Sequence, residues 1–366
     1  MGRLFWQLAI ALGVFFMVAE TLVGKGQWIS SKNKECKFWN ANPEAGETLK
    51  YKGSCLKGFA HGKGKLLWRT TAGTTRYIGD FQNGKRHGMG ELRRPDGVTF
   101  SGEWKHDKPD GKGKLKIGKR NIYVGHYRQG EMDGFGTYRW PDGEQYSGQW
   151  QQGEMDGFGT YHIADGSVYR GQYRQDKKHG EGTYNWANGA SYTGQFQNDN
   201  KHGRGYHLWQ DGSVYSGEYK NGKKHGVGKY IWPDGSQYVG DWQNGQKHGE
   251  GTLIKADGFI YIGEYSFDKK HGLGAYSWAS GKEYVGYFAG DKEHGYGQHS
   301  WPNGAAYVGY WQSGRQHGKG EFTWSSGLRY VGEWQANKKH GAGSLTNDKG
   351  EHMFVDFIDG EQQYSH

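Results

Sequence analysis

Histidine recurs along the chain at a fixed interval. His179, His202, His225, His248, His271, His294, His317 and His340 stand 23 residues apart, with His61 and His87 ahead of them. Imidazole titrates near neutrality and is a common metal ligand, so a ladder of ten invites a metal or proton-transfer reading. Spacing argues against the metal. If each histidine belongs to one hairpin of a continuing sheet, neighbours lie about 10 Å apart, whereas zinc ligands converge to about 2.1 Å from a single ion. The pattern predicts a structural role, with each imidazole bonding to loop backbone in its own hairpin. No metal, cofactor or catalytic residue is assigned. Ten such groups are also a source of pH response near neutrality.

Cations precede the histidines as Lys85, Arg86, Lys177, Lys178, Lys223, Lys224, Lys269, Lys270, Lys338 and Lys339, joined by Lys201, Lys247, Lys292 and Arg315. Read as one row, they form a basic edge, opposite a row of turn acids, Asp96, Asp142, Asp165, Asp211, Asp234 and Asp257. Such an edge suits anionic lipid headgroups at about 1 kcal/mol per cation. It equally suits a solvated margin that keeps a sheet edge unpaired. One stretch departs from the pattern. Gly130–Tyr138 recurs verbatim as Gly153–Tyr161, with Asp110, Asp133 and Asp156 in the histidine position and Glu131 and Glu154 in place of lysines. It reads either as a partner site or as a duplication without special function. Gly58-Phe-Ala-His-Gly-Lys63 echoes a phosphate loop, but it is one residue short, lacks the hydroxyl residue after the lysine and precedes a strand. No nucleophile elbow, Cys-x-x-Cys zinc pattern or calcium loop appears.

The elements that carry these residues follow from the period itself. Tyr77, Phe100, Tyr123, Tyr146, Tyr169, Tyr192, Tyr215, Tyr238, Tyr261, Tyr284, Tyr307 and Tyr330 are spaced by 23 without a gap, and a further copy begins at Tyr51, displaced by an insertion around 70–75. Counting each of these residues as position 0, aromatic and glycine residues fall at positions 0, 2 and 4 and again at 11, 13, 15 and 17, with polar residues between. That is the period of a strand, twice per unit. Asp-Gly, Asn-Gly and Ser-Gly pairs close one end of each hairpin, where positive φ is needed. Glycine weakens an ordinary strand, but here it shares the ring-bearing face and leaves floor on which a neighbouring ring can lie.

The expected fold is all-β: an elongated single-layer antiparallel sheet of stacked β-hairpins, with an N-terminal hydrophobic helix. Composition agrees. With 26 Tyr, 16 Trp, 16 Phe and 66 Gly, the buried surface must be rings lying over backbone rather than an aliphatic core. Collagen would need a three-residue period, and a disordered linker would lack the rings. The net charge of +9, from 47 Lys and Arg against 38 Asp and Glu, is a mild excess and not in itself a nucleic-acid signature.

The segment before the repeats has a different character. Leu4–Ala19 is apolar apart from Gln7 and follows Arg3, a pattern of signal-peptide or signal-anchor type over 1–24. A capping segment is expected over 25–50, thirteen repeats over 51–350, and a degenerate half-copy and tail over 351–366. Export would favour pairing of the two cysteines, Cys36 and Cys55. Cys55 occupies position 4, where the other copies carry a ring, so it is expected to point into the aromatic face. A bond to Cys36 would pin the preceding segment as a cap; two buried free thiols are the alternative.

The motif Tyr-x-Gly-x-Trp-x-x-Gly-x-x-His-Gly-x-Gly resembles the MORN (membrane occupation and recognition nexus) repeat from Tyr51 to about Gly350. The resemblance implies a scaffold near a membrane, protein binding or self-association. The ring face, with Trp104, Trp140, Trp150, Trp186, Trp209, Trp232, Trp242, Trp278, Trp301, Trp311, Trp324 and Trp334, is the expected partner surface. The functional expectation is a non-catalytic scaffold, exported or membrane-anchored, at a periplasmic or extracellular site or at the cytoplasmic face of a membrane. It would bind a protein partner, with no nucleic acid. The alternative is a peripheral module that binds anionic lipid through the basic edge.

Overall fold

The computed structural model describes residues 26–32 and 36–363. The apolar leader and its expected helix, over 1–24, lie outside the described residues. Within them every regular element is a strand, and no helix occurs. The described residues divide into two units, one running up to Ala187 together with Phe196–Asp199 and the other made of Asn188–Gln195 and the residues from Asn200 onward.

In the first unit the strands Gln27–Ser30 and Lys37–Asn40 form a short antiparallel pair. Consecutive hairpins follow, beginning with Thr48–Leu56 and Phe59–Thr70. The insertion lengthens this first hairpin, because pairing with the next strand continues out to Thr70↔Gly73. In the second unit each strand again pairs antiparallel with the next, as in Val214–Lys220 with Lys223–Ile231 and then Gln237–Gln243. Within each unit, from Thr48–Leu56 onward, neighbours in sequence are therefore neighbours in the ladder, as expected when short turns leave no room for a crossover, whereas Lys37–Asn40 pairs parallel with Phe59–Thr70.

The register repeats from hairpin to hairpin. Tyr215 faces Tyr230 and Gly217 faces Gly228, but the next pairs are Glu218↔His225 and Tyr219↔Lys224. The long strand thus skips two residues, Gly226 and Val227, in a β-bulge towards its own hairpin partner. The same two residues pair without interruption with the following strand, as Gly226↔Trp242 and Val227↔Asp241. Glycine is required at this point. Gly226 has φ +55°, and position 11 has positive φ throughout, from Gly62 (+68°) to Gly341 (+62°). The alternation expected over positions 11 to 17 holds towards the following strand, whereas towards the hairpin's own partner the ladder is interrupted at positions 11 and 12.

The core is the ring layer. Eleven position-0 tyrosines, together with Tyr138, are less than 2% exposed. Each position-0 ring lies on the glycines at positions 2 and 13, where an added Cβ would come within 3.0 Å of the tyrosine, as at Gly217 and Gly228 beneath Tyr215. The phenol then donates to the carbonyl three residues on: Tyr215 to Glu218 at 3.0 Å, Tyr238 to Asp241 at 3.0 Å, Tyr261 to Glu264 at 2.9 Å. These carbonyls stand where the bulge interrupts the ladder, so one side chain fills the floor and also serves a backbone group there. Position-4 rings complete the layer edge to face. Tyr238–Trp242 (5.1 Å), Tyr238–Tyr265 (5.3 Å), Tyr261–Tyr265 (5.2 Å) and Tyr261–Phe288 (5.3 Å) run as a zigzag from unit to unit. A sheet of one layer is stable here because it buries its rings against its own backbone, each worth about 2–3 kcal/mol.

Candidate functional site

The bulge decides where the cations go. The two-residue slip leaves the alternation of faces unchanged but brings position 9, in place of position 11, opposite position 4 on the ring side, as Lys224 faces Tyr219. The Lys224 ammonium sits 3.8 Å from the Trp242 ring centroid and 4.3 Å from that of Tyr230. Lys270 lies 5.4 Å from Tyr261, and Lys339 lies 4.3 Å from Phe357. Burial pushes the Lys201 and Lys224 ammonium groups down to about 8 and also lowers Lys247, Lys270 and Lys339. Arg86 stacks 4.5 Å over Trp104 and pairs with Asp107 at 3.1 Å. The single basic edge is therefore corrected to two rows. Arg86, Lys178, Lys224, Lys270 and Lys339 lie over rings, whereas Lys177, Lys223, Lys269 and Lys338 are exposed on the other face and Lys85 is half-exposed.

The tryptophans separate as well. Trp104, Trp150, Trp242, Trp311 and Trp334 are 2–7% exposed, and each indole donates to a position-13 glycine carbonyl of the preceding unit, as Trp242 does to Gly228 at 3.1 Å. They hold one hairpin to the next and are not an open partner surface, because the rings are buried and their one donor is engaged. Trp140, Trp186, Trp209, Trp232, Trp301 and Trp324 are half-buried at the turn ends and Trp278 is 38% exposed. They lie against position-15 rings, for example Tyr138–Trp140 and Tyr184–Trp186, both at 4.5 Å.

The histidine expectation is also corrected. His61, His87, His179, His202, His225, His248 and His340 each have a buried Nδ1 with no hydrogen-bond partner, in place of a bond to their own loop. The bulge carries these rings past their own loop. His87 lies 5.9 Å from His106, and His248 lies 5.2 Å from Phe267, both in the following hairpin. Among the described residues no group of three His, Cys, Asp or Glu is arranged to hold a metal ion.

Loop and turn acids are engaged by backbone. Asp107, Asp176, Asp199, Asp268 and Asp291 accept from a main-chain N–H of the preceding hairpin at 2.7–3.0 Å. Asp96, Asp142, Asp165, Asp211, Asp234 and Asp257 each accept from the N–H two residues on, closing their turns. In the acidic interruption Asp110 and Asp156 receive the N–H of Gln129 and Gln175, while Asp133 pairs with Arg128 at 3.1 Å.

The structure joins Cys36 to Cys55 with Cα atoms 5.6 Å apart. Cys36 is buried and Cys55 is exposed at the open end of the array, where the register sets it opposite the buried Ala60. A position-4 ring packs against the tyrosine of the preceding unit, and the first hairpin has no repeat before it. The cap supplies the missing ring. Phe38, 1% exposed, stands 5.0 Å from Tyr51 and 5.6 Å from Phe81. Backbone bonds Lys37→Gly58 (2.8 Å) and Trp39→Gly84 (3.1 Å) hold the segment down.

The opposite face was not foreseen. At position 12, Met89, Phe135, Phe158, Val227, Leu273 and Tyr296 are 52–60% exposed. At position 3 a carboxylate or amide folds back onto the bulge in six hairpins, where Asp80, Glu103, Gln149, Gln172, Asp241 and Glu264 accept the position-12 N–H at 2.8–3.3 Å. Four hairpins have neither acid nor amide there: Ser54 and His126 stand singly, while Tyr287 and Tyr310 follow one another and are each 52% exposed. That substitution was the available signal in the sequence.

The ladder of bulged hairpins, with rings seated on glycine, defines an all-β repeat array. The MORN repeat model matches thirteen consecutive segments, from 51–70 through 330–351, and the chain belongs to that family. Among curated proteins no relative matches. Among the solved structures that match, three show low TM-scores. One is the TCP domain of SAS-4 from Drosophila melanogaster with a proline-rich motif of Ana2, 13% identical, covering 42% of this chain and 84% of that one, TM-score 0.27. A second is a mutant TCP10 domain of Danio rerio CPAP, 12% identical, covering 68% and 96%, TM-score 0.19. A third is a streptogramin B lyase, 11% identical, covering 85% and 88%, TM-score 0.13. Scores this low carry no argument.

Proposed function

We propose that this MORN-repeat chain is a non-catalytic scaffold that docks protein partners on the sheet face opposite the rings, exported or anchored at a membrane. The observation that carries the reading is the division of labour between the two faces. On the ring side, tyrosines, indoles and position-9 lysines complete one another. On the other side, apolar side chains recur half-exposed, from Met89 to Tyr296 at position 12. Repeated exposed apolar groups on a rigid sheet are the mark of an interaction surface rather than of a reaction site.

A photo-crosslinking side chain at Phe135 or Leu273 in the full chain is expected to give discrete protein adducts in its native setting, and one at Asp142 or Asp257 is not. Adducts to lipid alone would sink the scaffold reading.

The second reading, an anionic-lipid module, draws on the exposed row Lys177, Lys223, Lys269 and Lys338. Salt-sensitive co-sedimentation with phosphatidylserine vesicles, lost when these four are changed to glutamate, would favour it. Among the described residues no helix is long and apolar enough to cross a membrane. The exported placement is tested by thiol labelling of native material. Cys36 and Cys55 should react only after reduction.

A further inference from the structure

We propose that Tyr287, Tyr296 and Tyr310 form a docking site for a proline-rich segment in the polyproline II conformation, carrying basic residues at its flanks. This rests on the scaffold reading and names the partner class for one part of that face.

The repeats act as their own reference. Where position 3 is acid or amide, its side chain accepts the bulge N–H, as Glu264 does from Leu273 at 3.0 Å. A tyrosine side chain is too rigid to fold back in this way, so Tyr287 and Tyr310 give up a fold-stabilising contact in two successive hairpins. What they add instead is ring surface facing solvent. Across adjacent strands the row reads Leu273 opposite Tyr287, then Tyr296 opposite Tyr310. The last pair meets edge to face at 5.5 Å. All four are 52–53% exposed. Tyrosine offers a large contact area at little conformational cost, which suits recognition.

Spacing selects the occupant. Tyr287 and Tyr310 lie two strands apart, roughly 10 Å. A polyproline II helix repeats every three residues, about 9.3 Å. Prolines at every third residue can therefore meet both rings in turn, the aromatic-groove mode by which such segments are bound. The surroundings select the flanks. Glu250 and Glu264 face each other on one side of the row, and Glu333 bounds the other side opposite Lys319, with Glu321 in the neighbouring row. Carboxylates at both ends of the row favour cationic residues at the flanks of the peptide, while Lys269, Lys292 and Arg315 stand exposed on the same face at position 8.

The test uses the full chain and a fluorescent, arginine-flanked peptide with proline at every third residue, followed by anisotropy. Saturable binding is expected, weakened about ten-fold or more by Tyr287→Glu with Tyr310→Glu. These changes restore the position-3 acid, so the melting temperature should hold or rise and the loss cannot be ascribed to unfolding. A peptide with alanine for proline should also bind about ten-fold less. The proposal is overturned if the unaltered chain shows no saturation, if the double variant or the alanine peptide binds equally well, or if the tyrosines govern vesicle binding instead. Its failure is separable from that of the scaffold reading, which is read from crosslinks at Phe135, a residue of the first unit.

Discussion

Each position-0 tyrosine does two things at once, and single substitutions separate them. Tyr238→Phe keeps the ring on Gly240 and Gly251 but removes the bond to the Asp241 carbonyl. A loss of about 1 kcal/mol in chemical denaturation is expected; Phe100 shows that the ring alone is tolerated in this position. Glycine substitutions are graded by location. Gly228→Ala would drive a methyl into the Tyr215 ring, at a cost of about 3 kcal/mol. Gly235→Ala, with φ +85° but open space around it, should cost about 1 kcal/mol. Equal costs at the two sites would refute the ring-on-glycine account. This much was legible in the sequence, since Tyr-x-Gly repeats place ring and floor on one face. The half-exposed residues of the other face were not, because neither hydrophobicity nor period says which face of a single layer goes uncovered.

At the scale of the element, the bulge at position 11 is the decisive feature, and lysine at position 9 is its consequence. Two hairpins carry Met132 and Met155 there, 8% and 5% exposed, in place of a cation. Lys224→Met should therefore fold, and at neutral pH be at least as stable as the natural chain. The pH dependence gives the sign. Lys224 titrates near 8 in the fold, against 10.5 when unfolded. Between these values the unfolded chain binds more protons, so stability rises with pH across that window and its contribution is lost as pH falls through about 8. Melting temperatures measured from pH 7 to 10 should rise less in Lys224→Met than in the natural chain. An identical rise would mean that the ammonium is not buried over Trp242. The two-residue slip behind this was hidden from sequence reasoning, since a repeated His-Gly-x-Gly reads equally well as unbroken alternation.

Over the whole molecule the tyrosines set the alkaline limit. Burial raises Tyr138 and Tyr330 to about 12 and pushes Tyr77, Tyr123, Tyr146, Tyr215, Tyr238, Tyr261, Tyr284 and Tyr307 higher. A raised value is stabilising below the unfolded value of 10.0 and is lost as pH climbs through the folded one. Stability should therefore fall steeply above about pH 10, once the unfolded chain's phenols ionise, and ultraviolet difference spectra should show tyrosinate appearing together with unfolding. Gradual ionisation without unfolding would contradict the burial. Repeat arrays couple mainly to nearest neighbours, so damage at one end should stay local. Cys36→Ser removes a closure spanning 19 residues, worth about 3 kcal/mol in the chain-entropy account. Amide exchange should rise in the hairpins around Tyr51 and Tyr77, with the second unit unchanged.

By itself the sequence determined the number of hairpins, their turns and the seating of ring on glycine, because these depend on local spacing and on where a Cβ is missing. Tertiary structure alone decided which residues stand opposite one another beyond the bulge. That choice follows from how two strands pair their hydrogen bonds across a bulge, a property of the ladder rather than of any residue in it. The same pairing turned a presumed row of surface lysines into a layer over the rings and left the reverse face open for a partner.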